Sequence, residues 1–86
     1  MPTISYFYGI YIRMYVNENF PPHFHVEYQG KEAQIAIKTG EIIRGSLPAQ
    51  AKFLVEEWRK LHVSDLMNNW DNANNLIMPK KIAPLE

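Results

Sequence analysis

From His23 to Ile37 the chain alternates apolar and polar residues about a central Gln29-Gly30 pair, and this pattern constrains the fold more than any other feature. Side chains alternate faces along a strand. A two-residue turn that uses glycine's tolerance of positive φ then sets the register of a hairpin. Tyr28 opposes Lys31, Val26 opposes Ala33 and Phe24 opposes Ile35, which assembles one apolar face. On the other face His25 meets Gln34, His23 meets Ala36, and Glu27 meets Glu32. The last pair sets like charges opposite each other, which is mildly unfavourable. It argues either for a different register or for a cation close by.

The flanking segments extend the same logic. Ile10, Ile12, Met14 and Val16 alternate with Tyr11, Arg13 and Tyr15, so a strand covers residues 10–16. A polar connection follows, and Pro21 and Pro22 delay the next strand to His23, because proline cannot donate to a ladder. Thr39-Gly40 marks a second tight turn into a short strand, Glu41 to Arg44. Ser46 is a candidate helix cap and Pro48 suits a first helical turn. From Pro48 to about His62, Ala51, Leu54, Val55, Trp58 and Leu61 form one apolar stripe. Ser64 is the expected cap of a second helix running to about Asn75, with Leu66, Met67, Trp70 and Ala73 inward. The expected fold is α+β: a four-stranded antiparallel meander packed on two C-terminal helices. It forms a single domain over 1–86, with the meander in 1–45, the helical hairpin in 46–76 and an extended tail in 77–86. Ile10, Ile12, Met14, Phe24, Val26, Ile35, Ile37, Leu54, Trp58 and Trp70 should share the core. The terminal Leu85-Glu86 is given no structural role.

Composition removes several function classes. The absence of cysteine rules out disulfides and thiolate metal sites and agrees with a reducing, cytoplasmic setting. A formal net charge of zero supplies no long-range attraction for a polyanion. No apolar run approaches a membrane span, and no signal-peptide pattern opens the chain. Walker loops, dinucleotide fingerprints and nucleophile elbows are absent. Two Trp, five Tyr and four Phe exceed what one small core takes up, so some aromatics are expected on the surface or at an interface.

Several of these segments resemble one family of small bacterial proteins. They are Met1-Pro2-Thr3-Ile4-Ser5, Phe7-Tyr8-Gly9-Ile10, Ile12-Arg13-Met14-Tyr15, Pro21-Pro22-His23-Phe24-His25, Leu47-Pro48, Val55-Glu56-Glu57-Trp58, Asn69-Trp70 and Lys81-Ile82. The family is domain of unknown function 4160, and the resemblance covers nearly the whole chain. It implies no established activity and no catalytic residues. It does imply a genetic setting: members are often encoded beside a second small protein, an arrangement like that of a toxin–antitoxin or other two-gene module.

The polar sheet face carries the candidate chemistry. Tyr11, Arg13, Tyr15, His23 and His25 form the candidate binding set, of the types enriched at interface cores. The favoured reading is a protein-interaction or regulatory module whose partner is the small protein of the adjacent gene, or a second copy of the chain in a homodimer. One alternative is a metal-independent ribonuclease-like site. There His23, His25, Glu27 and Arg13 would supply acid, base and charge stabilisation, and tyrosines would stack RNA bases. Another is a metal site, with no other cofactor expected. His23 and His25 project to one side of a strand and suit a divalent metal such as zinc. Glu27 lies about 13 Å along the strand from His23 and cannot join both. The third ligand would come from Glu18, Glu32, His62 or a symmetry mate.

Overall fold

A computed structural model describes residues 3–86; Met1 and Pro2, which open the first segment of the resemblance, lie outside the described residues. The chain forms strands β1 (Thr3–Phe7), β2 (Ile10–Arg13), β3 (His23–Tyr28), β4 (Lys31–Ala36) and β5 (Ile42–Gly45), then helices α1 (Ala49–Leu61) and α2 (Val63–Asn74). The strands make one antiparallel meander in the order β1-β2-β3-β4-β5. The class is therefore α+β, with five strands where the sequence pattern indicated four. β1 escaped the pattern because a register shift between Thr3 and Ser5 buries both Ile4 and Ser5, which breaks the alternation. It also hid behind Tyr8-Gly9, a two-residue loop with both φ angles positive (51° and 80°) that lacks the usual Asn or Asp. Gln29-Gly30 makes the same kind of turn, with φ of 48° and 80°. It produces all six expected β3–β4 pairs, Glu27 opposite Glu32 included.

One face of the sheet carries the core. Ile4, Phe7, Ile10, Ile12, Phe24, Val26 and Ile35 pack against Ala51, Val55, Trp58, Leu66 and Trp70 of the helices. Of the ten expected core residues, nine are buried and Leu54 packs half-buried at the margin. β2 ends at Arg13 rather than Val16: the chain leaves the sheet after Arg13, and Val16 is exposed. α1 begins after Pro48 with no side-chain cap, so Ser46 is not its cap; the Ser46 N–H instead donates to Glu32 O at 3.2 Å. α2 follows after a single residue, His62, and Ser64 lies inside it. Leu61 is 70% exposed. The buried stripe of α1 turns the other way, through Val55, Trp58 and Arg59.

Two polar anchors close the structure on the helix side. Arg59 is buried, donating Nη1–H to Ile37 O (2.9 Å) and pairing through Nε and Nη2 with Glu56 (2.8 and 2.6 Å). Asn69 holds the tail by two bonds, Nδ2 to Lys80 O (2.8 Å) and Lys80 N to Oδ1 (2.9 Å). The tail continues past Ile82, whose N–H donates to Ile4 O at 2.7 Å on the outer side of β1. At Ala83 the carbonyl accepts from Trp58 Nε1 at 2.9 Å. Leu85 packs on the core, so this terminal residue has a structural place. Among the described residues no helix is long and apolar enough to cross a membrane.

Candidate functional site

The face of the sheet that the helices leave uncovered is organised by cross-strand register. Arg13 opposes His25, which opposes Gln34, which opposes Arg44. In the adjacent row Tyr6 opposes Tyr11, Tyr11 opposes Glu27, and Glu27 opposes Glu32. The cation demanded by the Glu27–Glu32 opposition is Arg13, whose guanidinium pairs directly with Glu27. That hydrogen bond strengthens the hold of Arg13 on its proton, which raises its pKa. Arg13 also donates Nε–H to Thr3 Oγ1 (3.3 Å) and lies 5.0 Å above the Tyr11 ring. Tyr11 and Tyr6 are in contact, with ring centroids 4.6 Å apart.

A second group forms where the connection between β2 and β3 folds back. Asn17 takes a positive φ of 60° and donates its N–H to Ala73 O at 3.1 Å, which ties the connection to the end of α2. Glu18 is thereby set over the first residues of β3. Its Oε1 accepts a hydrogen bond from His25 Nε2 at 2.6 Å and lies 3.5 Å from His23 Nε2. Ligand atoms of Glu18, His23 and His25 all fall within 4.8 Å of one another. Aromatic rings wall the group: Trp70 stands 5.2 Å from His23, and Tyr15 meets His25 edge-on at 4.4 Å. An open cleft of about 420 Å³ adjoins it, lined by Glu18, Asn19, Phe20, His23, Gln34 and Arg44 among others. A larger cleft, about 610 Å³, runs between α2 and the tail. Its central polar residue, Asn69, is fully engaged with Lys80, so it reads as the groove that seats the tail.

The structure thus divides the residues singled out from sequence into two neighbouring groups. His23 and His25 converge with Glu18; Arg13 and Glu27 pair with each other. Tyr11 joins the Arg13 group and Tyr15 the His25 group. His23 is only 5% exposed, although it shares its strand face with His25, because the connection and Trp70 cover it. Tyr6 was invisible to sequence reading because β1 was. An imidazole hydrogen-bonded to a carboxylate can relay a proton, and two imidazoles with one carboxylate can bind a metal ion.

No curated protein and no solved structure matches the chain. The model of one family, described as "Domain of unknown function (DUF4160)", matches residues 9–71, a span that holds β2 to β5, α1, most of α2 and all three residues of the Glu18–His23–His25 group; the chain belongs to that family.

Proposed function

We propose that this chain is a bacterial, cytoplasmic interaction module, regulating or regulated by a small protein encoded beside it in the manner of a toxin–antitoxin pair, and that the uncovered sheet face receives this partner. The observation that carries the reading is the aromatic surface at the β1–β2 end of that face. Tyr6 and Tyr11 are 52% and 40% exposed while their rings touch, tilted by 43°, with Arg13 beside them. Tyrosine and arginine are the types that anchor protein interfaces, because they bury large area at low entropic cost. The family resemblance supplies the class of partner. The test is co-expression with the product of the adjacent gene, followed by titration of the purified pair. Tyr6→Ala with Tyr11→Ala should weaken association by about 2 kcal/mol or more, the size expected of truncated anchors. Because both rings are exposed, stability should change little. A complex that survives the double substitution unchanged places the interface elsewhere. Light scattering on the protein alone tests whether a second copy takes the same place.

The hydrogen bond between His25 and Glu18 favours a second reading, a metal-independent acid–base site acting on RNA. Arg13, the register partner of His25, would stand near the reacting phosphate. Glu27 is taken up by Arg13, so the carboxylate in this reading is Glu18. Cleavage of a labelled RNA in the presence of chelator, lost in His25→Ala, would support it. No cleavage by the wild-type protein would remove it.

A further inference from the structure

The corner where Glu18 meets β3 holds a conflict that hydrogen bonding alone leaves open. His23 donates its Nδ1–H to Pro21 O at 2.8 Å. A carbonyl oxygen only accepts, so the proton of the neutral ring sits on Nδ1 and Nε2 carries the lone pair. That Nε2 is buried and, among the described residues, has no hydrogen-bond partner. Another acceptor, Glu18 Oε1, lies 3.5 Å from it. A buried lone pair facing a carboxylate is costly unless a positive charge lies between them. The same oxygen is 2.6 Å from Nε2 of His25, and the three ligand atoms lie within 4.8 Å of one another.

We propose that Glu18, His23 and His25 bind a divalent transition-metal cation, through the two Nε2 atoms and a carboxylate oxygen. This goes beyond the interaction reading and stands or falls separately from it. Two features beyond proximity carry the assignment. The first is the Nδ1–H bond from His23 to the Pro21 carbonyl, the kind of outer partner that fixes tautomer and ring orientation in metal-ligating histidines. The second is scale. Ligands at about 2.1 Å and tetrahedral to octahedral angles stand about 3.0–3.4 Å apart. The Glu18 oxygen lies 3.5 Å from one imidazole nitrogen and 2.6 Å from the other. Glu18 sits on the connection between β2 and β3 rather than in a strand, so its side chain is the member of the group freest to adjust. The Nε2–H of His25 must leave on binding, so loading releases a proton or moves it to Nδ1.

The donor set selects the metal class. Two imidazoles and one carboxylate suit zinc, cobalt, nickel or ferrous iron, whereas magnesium and calcium demand oxygen ligands. Three protein ligands leave at least one coordination position, and the 420 Å³ cleft opens on Glu18 and His23. The site is therefore of the open, exchangeable kind rather than the closed four-ligand structural kind.

The experiment is titration of untagged protein with Co(II) and Zn(II). Cobalt should develop visible absorption stronger than that of the aqueous ion, and zinc should raise the melting temperature and displace the cobalt signal. In nitrogen NMR, zinc should shift Nε2 of His23 and His25 while Nδ1 of His23 keeps its proton. Glu18→Gln and His25→Gln should each weaken binding about tenfold or more, since losing even an outer partner of a ligand costs that much and these are the ligands themselves. His62→Gln should change nothing. His23→Gln risks misfolding because the ring is buried, so the first two variants decide the matter. An aqueous cobalt spectrum overturns the proposal. So does an imidazole spectrum unmoved by zinc, with a second proton on the His23 ring at neutral pH showing that a proton occupies the gap. Binding that survives both variants, or an equal response to magnesium, overturns it too.

Discussion

Two buried polar clusters lie on opposite sides of the sheet, and they are finished to different degrees. On the helix side, every arm of the Arg59 guanidinium has a partner, two on Glu56 and one on the Ile37 carbonyl. On the uncovered side, His23 has one satisfied nitrogen and one bare nitrogen aimed at a carboxylate. Folding stability selects the first arrangement, since satisfied buried polar groups stabilise and unsatisfied ones cost free energy. The second is retained at a cost, and such retention marks a group that something other than the fold requires. The adjoining Trp70 also buries an unpaired Nε1, and Ser5 Oγ on β1 is the third such atom among the described residues; of the three, only His23 Nε2 faces a carboxylate at 3.5 Å.

The contrast is open to direct test by truncation. The largest effect should come from Arg59→Ala, at about 3 kcal/mol, because it strips a buried charge from its partners and frees the Ile37 turn from α1; denaturant unfolding measures it. A loss below about 1 kcal/mol would show that the cluster is ornamental and weaken the contrast. Asn69→Ala should follow at about 2 kcal/mol, since both backbone groups of Lys80 lose their partners. Asn69→Asp sharpens that result, because it can still accept from Lys80 N but cannot donate to Lys80 O. Glu18→Gln should change metal-free stability by under about 0.5 kcal/mol, because the amide oxygen can still accept from His25. A loss as large as that of Arg59→Ala would make the His cluster structural and erase the distinction.

The smallest effect concerns acid. Hydrogen bonding to Arg59 holds the Glu56 carboxyl below its ordinary value of 4.5. Its contribution to stability is therefore complete above that value and is lost as pH falls through the lower folded-state value. Glu56→Gln should flatten the stability–pH profile in that acid window and leave its neutral limb nearly parallel. The carboxylate is more than a third exposed, so solvent screening keeps the effect modest.

How much of this was legible beforehand depends on whether local chemistry or long-range packing decides each residue. The β3–β4 hairpin was fully legible, because strict alternation and one glycine turn leave a single consistent register. The helical stripe was legible at Ala51, Val55 and Trp58 and misleading at Leu61, because a buried arginine behaves as an apolar stem with a polar tip. β1 was not legible, since a bulge removes its period and Tyr8 takes a backbone conformation that tyrosine seldom adopts. In the site, the shared face of His23 and His25 followed from strand geometry alone. Glu18 appeared only as one of several candidate third ligands, because its place depends on Asn17 bonding to Ala73 at the far end of the chain. Asn69 of α2 was not legible as the tail's anchor, because its two bonds reach Lys80 across a connection that sequence alone does not position.

The bond from Ile82 to Ile4 joins segments separated by almost the full length of the chain. Closing so long a loop costs more entropy than forming any hairpin here, so this contact is expected to form after the meander and helices have assembled. By the same reasoning it is the first to open in the folded protein. Such an opening would release Ala83 from Trp58 Nε1 and bare the outer side of β1, while the Glu18 corner, held by Asn17 and Ala73, stays shut. Amide exchange at Ile82 should therefore run well ahead of exchange at Asn17, and the molecule breathes at its seam rather than at its site.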